Sequence, residues 1–316
     1  MNATQKKIVK TSLPLLLGGV LVWYSLTGMD QEKMVFHLKN ANYAWIFLGL
    51  FFGILSHLSR AYRWKFMLAP MGYNPKFTNS VLAVLIGYFV NLAIPRAGEV
   101  SRATVMVNYE NIPFEKGFGT IVAERIADLI MMFLIIGITL FFQFDFILTL
   151  VAKNFDPLKI GMIFMGVIVV IILFSSFVKK AKQGILLKIK NFVLSLIEGV
   201  TSILKMKKKW AFIFHTIFIW AMYVAMFWAT IPAIQGLEVP VGGMLVGFIA
   251  GGFSIAATNG GIGSYPLAVM GAFLLFNVPE SPSEAFGWIM WSAQTLMIVV
   301  FGGLAFLVLP LFNKKK

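Results

Sequence analysis

The sequence predicts an all-α polytopic membrane protein, with about six full transmembrane helices plus two broken, re-entrant helical hairpins in an inverted repeat. Three observations lead there. Hydrophobic residues make up 59% of the 316 positions and charged ones 13%, and the apolar residues fall in runs of membrane-spanning length that no soluble domain of this size needs. Two of those runs are broken at their centres, by "IPRAG" and by "TNGGIG". The basic residues behind the net charge of +14 stand between the runs, where they set orientation and meet anionic headgroups. That placement argues against nucleic acid as a partner. Zero cysteines exclude disulfides and thiolate chemistry.

Taken in order, the amino terminus carries Lys6, Lys7 and Lys10 before "LPLLLGGVLVWYSL", a layout shared by signal peptides and first spans. No small-residue cleavage site follows, so a retained helix is expected at 12–28. Further spans are expected at 43–66, 117–142, 159–178, 210–231 and 287–310, each able to cross a core of roughly 30 Å at about 1.5 Å per residue. Residues 80–107 form the first hairpin, with arms of about fifteen and eleven residues, too short to span untilted. Residues 241–277 form the second, with longer arms, either re-entrant or a pair of complete spans. Between the halves, Ile185, Ile189, Phe192, Val193, Leu196, Val200, Ile203 and Leu204 recur at helical spacing with lysines on the other faces. This predicts an amphipathic helix at 182–205 on the inner leaflet, with anionic lipids as partners of the basic segment 179–209.

The positive-inside rule places the amino terminus, Arg60, Arg63, Lys65, Lys76, the 179–209 cluster and Lys314 to Lys316 on the inner side. Only Lys33, Lys39, Lys153 and Lys159 remain for the outer loops. Both termini are then cytoplasmic, in a bacterial-type cytoplasmic membrane. The first hairpin enters from inside and the second from outside, so the order span, span, hairpin, span occurs twice with opposite orientation. The expected repeats are 1–155 and 156–316. Aligning Pro113-Phe114-Glu115 with Pro282-Ser283-Glu284 is a shift of 169 residues, which sets Gln294 opposite Arg125, both expected to be buried. Inverted repeats with broken helices meeting near the midplane are a transporter architecture.

Charges inside membrane helices are costly, about 2.5 to 3.5 kcal/mol each on insertion scales, and usually line a cavity. In the first hairpin, Pro95 removes a backbone donor and the second arm starts near Ala97-Gly98, so free N–H groups and a positive dipole end meet Arg96. A phosphate reaching in would meet Arg96, the helix terminus and Arg102. The structural alternative pairs Arg102 with Glu99 at i,i+3. The next helix adds Glu124, Arg125 and Asp128, either as an ion pair fastening helix to hairpin or as gating and coupling groups. In "SRAYRWK" an interfacial belt of aromatics and snorkelling cations is the default, with Arg60 alone deep enough to reach a cavity. The second break offers Asn259 and backbone N–H groups but no cation, which suits a gate or a weaker outward-facing site.

No catalytic constellation, metal cluster or phosphate-binding glycine loop stands out, and His37, His57 and His215 are isolated in sequence. No cofactor, metal or enzymatic activity is therefore expected.

Together "SRAYRW", "IPRAGEVSRA", "ERIADL" and "NGGIGSYPLAVMGAF" resemble the lysylphosphatidylglycerol synthetase transmembrane region, also called the flippase-like or UPF0104 family. Members of that family fuse this region to a cytosolic aminoacyltransferase domain and are associated with moving aminoacylated phosphatidylglycerol to the outer leaflet. Stand-alone members occur around lipid-linked glycan and hopanoid metabolism. By this resemblance the positions to carry over are Arg96, Gly98, Glu99 and Arg102, then Glu124, Arg125 and Asp128, then Asn259, Gly260, Gly261 and Gly263. The longest polar segment here is far below domain size, so lysyl transfer is not expected.

The expected function is a lipid translocase for a phospholipid or lipid-linked glycan carrier. The alternatives are an intramembrane lipid-modifying enzyme using Glu99, Glu124 or Asp128 as base, or a non-catalytic membrane partner of a separate glycosyl- or aminoacyl-transferase.

Overall fold

The computed structural model describes residues 30–146, 148–149, 206–258 and 260–314, with positions 20, 22 and 23. The expected spans 12–28 and 159–178, isolated positions apart, and the basic helix 182–205 lie outside the described residues. Among those described, every regular element is helical. The helices are α1 (Gln31–Asn40), α2 (Tyr43–Leu68), α3 (Phe77–Ala93), α4 (Ala97–Glu110), α5 (Phe114–Phe142), α6 (Lys209–Thr230), α7 (Val241–Ala257), α8 (Ser264–Leu274) and α9 (Glu280–Phe312). Four are long and apolar enough to cross a membrane: α2 with its closing 3-10 turn (Tyr43–Met71), α5, α6 with its turn (Lys209–Ala233), and α9. They cover the expected 43–66, 117–142, 210–231 and 287–310.

Two breaks interrupt the apolar runs where the sequence places them. Ile94, confined by the proline after it, is extended and ends α3; Pro95 and a left-handed Arg96 (φ 64°) then turn the chain into α4. In the second break Thr258 is extended, and Gly260, Gly261 and Gly263 all have positive φ. The arms differ from expectation. α3 and α4 have 17 and 14 residues, α7 and α8 have 17 and 11, so the first hairpin is the longer one. Polar residues at its open end account for this: Glu110 accepts from Asn79 and from the Lys76 N–H, and Asn79 also pairs with Asn313 of α9. These side chains complete backbone ends that apolar periodicity alone leaves outside the helices.

The same order recurs among the described residues: a long helix closed by a proline-containing 3-10 turn, a 17-residue helix, a break, a shorter helix, a long helix. Its final long helices start at Phe114 and Glu280, 166 residues apart, against the shift of 169 taken from the proline-containing triplets.

The chain divides into two compact units, residues 1–124 with 210–316, and 125–209. The first holds two cores. Trp64, Leu68, Ile86, Met106 and Ile121 pack with Ala305 and Leu309 from the end of α9. Phe227, Val269 and Phe273 pack with Phe286 and Ile289 from its beginning. One helix thus seats both hairpins on successive stretches. The second unit contains the rest of α5 from Arg125 onward.

The helix α1 is an addition to the expected elements. Asp30 caps it by accepting from the Lys33 N–H at 3.2 Å, and His37 Nε2 hydrogen-bonds Ser281 Oγ of α9 at 3.1 Å. Burial holds the His37 imidazole below its ordinary value, so the unfolded segment takes up a proton before the docked one does. The contribution of this contact is therefore complete above the usual histidine range, near 6.5, and declines as pH falls below it. The protection of residues 31–40 against hydrogen exchange, taken relative to the intrinsic rate at each pH, is expected to fall between pH 7 and pH 5, and His37→Gln to flatten that profile.

Candidate functional site

A buried ion cluster is built from three helices of the first unit. Glu124 of α5 is fully buried; its Oε1 accepts from Arg60 Nη1 at 2.6 Å and pairs with Arg63 Nη2 at 3.0 Å, while Oε2 pairs with Arg102 Nη2 at 3.0 Å. All three arginine side chains are at most 4% exposed. Arg60 and Arg63 reach it together because i and i+3 share a helix face, and that face continues through Trp64. The Arg102 guanidinium lies 3.9 Å from the centre of the Trp64 ring. Trp64 Nε1 in turn donates to Thr120 Oγ1 at 2.7 Å, and Arg63 Nη1 donates to Thr216 Oγ1 at 2.8 Å. Each guanidinium is thereby oriented by a second partner on a separate helix or ring.

An uncharged polar layer adjoins the cluster. Arg60 Nη2 donates to the Tyr223 hydroxyl at 3.3 Å, and that hydroxyl lies 3.3 Å from the Tyr88 hydroxyl of α3. The His57 ring contacts both tyrosines, with centroids 4.6 Å from Tyr88 and 6.5 Å from Tyr223.

The sequence-derived residues fall into separate groups. Arg60, Arg102 and Glu124 come together. Arg102 takes Glu124 as a carboxylate partner, as the helix-to-hairpin fastening predicts. Glu99 approaches Asn91 Nδ2 at 3.5 Å. Arg96 stands apart on the break, exposed, with no hydrogen bond or ion pair among the described residues. Gly98 is buried, and its N–H is taken by Asn91 Oδ1 at 2.7 Å. The start of α4 therefore offers a phosphate fewer open donors than its sequence implies. Arg125 pairs with Asp128 at 3.5 Å but is 43% exposed, not buried. Gln294 is half-buried and donates to the Met290 carbonyl. Gly260 accepts from Trp291 Nε1 at 2.9 Å, Gly261 and Gly263 are buried, and Asn259 lies outside the described residues. In this break the Ser264 hydroxyl joins those of Ser254 and Thr258.

Sequence reasoning missed Arg63, Trp64, Tyr88 and Tyr223. For the first two a signal existed: His57, Arg60 and Trp64 follow one another at i, i+3 and i+7, an inward face, while Tyr62 and Lys65 are exposed on another. Treating the whole motif as an interfacial belt overlooked that period. Tyr88 and Tyr223 are far apart in sequence, and only the packing of α3 beside α6 joins them.

Broken apolar hairpins, four candidate spans and a buried ionic cluster define an integral helical membrane protein. The chain belongs to the family described as "Lysylphosphatidylglycerol synthase TM region", which it matches over residues 12–303. It is 24% identical to the UPF0104 membrane protein MJ1595 of Methanocaldococcus jannaschii, across 98% of each chain. A match at 28% identity to the UPF0104 membrane protein PH1989 of Pyrococcus horikoshii covers 39% of this chain and 38% of that one. A match at 29% identity to the glycosyltransferase AglD of Haloferax volcanii covers 35% of this chain and 18% of that protein. No solved structure matches.

Proposed function

We propose that the protein is a lipid translocase that passes an anionic headgroup, as phosphate, across a cytoplasmic membrane without catalysing a reaction. The observation that carries this reading is the cluster itself: three buried guanidiniums share one carboxylate at the side of a broken hairpin. Burying such an ionic group is a weak source of stability and expensive in a bilayer, whereas a planar guanidinium fork is suited to phosphate. Arg102 lies six residues after Arg96 on α4, about 9 Å along the axis, so two cationic stations follow one another on the helix. In the inverted-repeat reading, with both termini cytoplasmic, a headgroup reaches the cluster from the inner leaflet and the hairpin break later. Glu124 competes for the arginines and releases the phosphate. Both Glu124 oxygens are already paired with guanidiniums, which weighs against its use as the base of an intramembrane enzyme.

Arg96 supplies the test. An arginine at φ 64° is held in a conformation that glycine adopts freely, so Arg96→Gly removes the cation without disturbing the fold. In reconstituted vesicles the variant is expected to move a fluorescent anionic phospholipid at least about ten-fold more slowly than the wild type, with an unchanged melting midpoint. Arg96→Lys should retain part of the rate. Wild-type movement by a folded Arg96→Gly protein defeats the proposal.

The match to a glycosyltransferase favours a second reading, a membrane partner of a separate transferase. Replacing the lysines of 179–209 should then dissolve a complex and leave lipid movement intact.

A further inference from the structure

The polar layer beside the arginines contains atoms that the fold leaves unsatisfied. His57 of α2 and Trp220 of α6 are each only 7% exposed, and among the described residues neither His57 Nδ1 nor Trp220 Nε1 has a hydrogen-bond partner. Buried polar atoms in folded proteins are nearly always paired, and an exception calls for a ligand, a water or a function. Both rings contact the same side chain, Tyr223, at centroid distances of 6.5 Å and 6.1 Å. Phe248 of α7 closes on the Trp220 ring at 6.4 Å. The layer draws on both hairpins, since Tyr88 belongs to the first and Phe248 to the second. It is continuous with the ion cluster, because the Tyr223 hydroxyl accepts directly from Arg60.

The chemistry of those atoms selects a class of group. An indole N–H only donates, so it requires an acceptor; an imidazole nitrogen takes either role according to tautomer. A hydroxyl provides both at once. An alkyl group provides neither, and an ammonium has no lone pair for Trp220 and would be repelled by Arg60. We infer that the layer formed by His57, Tyr88, Trp220 and Tyr223 seats the uncharged, hydroxyl-bearing part of a phosphate-linked headgroup, a glycerol or sugar unit, beside the phosphate on the arginines. This rests on the translocase reading and narrows it to polyol phosphates, against headgroups that end in an amine.

Native mass spectrometry of the full chain tests both statements separately. The probes are phosphatidylglycerol and phosphatidylinositol, which carry free hydroxyls, phosphatidylmethanol, which has the same charge and none, and soluble glycerol 3-phosphate. The wild type is expected to retain the hydroxylated lipids about ten-fold more strongly than phosphatidylmethanol. His57→Phe and Trp220→Phe keep an aromatic ring but remove the polar nitrogen, and should each bring that ratio toward one while leaving phosphatidylmethanol binding unchanged. Equal retention of all three anionic lipids, lost in Arg96→Gly, overturns the hydroxyl seat and leaves the anion site standing. Retention of no anionic lipid overturns both. Displacement of the lipids by glycerol 3-phosphate at matching concentration supports the seat and assigns it to a soluble polyol phosphate. The wild-type ratio needs no variant, so poor folding of a substituted protein does not shelter the inference.

Discussion

Replacing Glu124 by glutamine is expected to destabilise the protein by about 3–5 kcal/mol, the range for breaking a buried ion pair by removing one partner. The side chain keeps its shape, so packing is not what changes. What changes is that Arg60, Arg63 and Arg102 lose the carboxylate they share, and three guanidiniums then repel one another in a low-dielectric interior. Thermal unfolding in a neutral detergent reads the loss directly. Two additions give the measurement functional content. Arg63→Met in the Glu124→Gln background should recover part of the stability, since it removes one uncompensated cation and replaces it with an apolar side chain of similar length. An anionic phospholipid should raise the melting midpoint of Glu124→Gln more than that of the wild type, because phosphate can take the place the carboxylate has left; a zwitterionic lipid should raise both equally. A change below about 1 kcal/mol in the single variant would mean that the arginines are held by other partners.

How far this site was legible in the sequence depends on the kind of signal each residue carries. Pro95 and the glycines of the second break announce themselves locally, because backbone geometry there is dictated by residue type. Glu124 and Arg102 are conspicuous by their cost in an apolar run. Their pairing is a tertiary fact: Glu99 is the nearer carboxylate in sequence, and it is the fold that brings Glu124 of α5 to 3.0 Å from Arg102 of α4. Arg63 shows a different failure. Its neighbours Tyr62, Trp64 and Lys65 make a convincing interface motif, yet the helical period turns Arg63 inward, where Thr216 and the Phe212 ring receive it. Gly98 shows a third. As a residue at a helix start it reads as an open anion-binding donor, while the structure gives its N–H to Asn91 and its α-carbon to a helix contact. Local motifs specify the breaks; burial partners specify what the breaks are for.

That helix contact produces the second large effect. A Cβ built on Gly98 would overlap the Gly87 carbonyl oxygen and lie 2.6 Å from Asn91 Cγ. The carbonyl is backbone within α3 and cannot rotate aside. Gly87 answers from the other helix, where an added Cβ would meet the Gly98 carbonyl oxygen at 3.0 Å. The hairpin is thus closed by two glycines facing each other, the close approach that small residues permit between membrane helices. Gly98→Ala must spread α3 from α4 and is expected to cost about 3 kcal/mol, the upper end for overpacking a tight contact. Because Asn91 shares the contact, spreading also breaks its bond to the Gly98 N–H and frees that donor at the start of α4. The same substitution is therefore expected to lower the melting midpoint and quicken hydrogen exchange at residues 97–100, ahead of the rest of α4. Gly119→Ala, on α5 with nothing within 4 Å of its added Cβ, should leave both measurements unchanged. If Gly98→Ala melts with Gly119→Ala, the two arms of the hairpin do not touch in the membrane, and the path from Arg96 to the arginine cluster is not a single packed element.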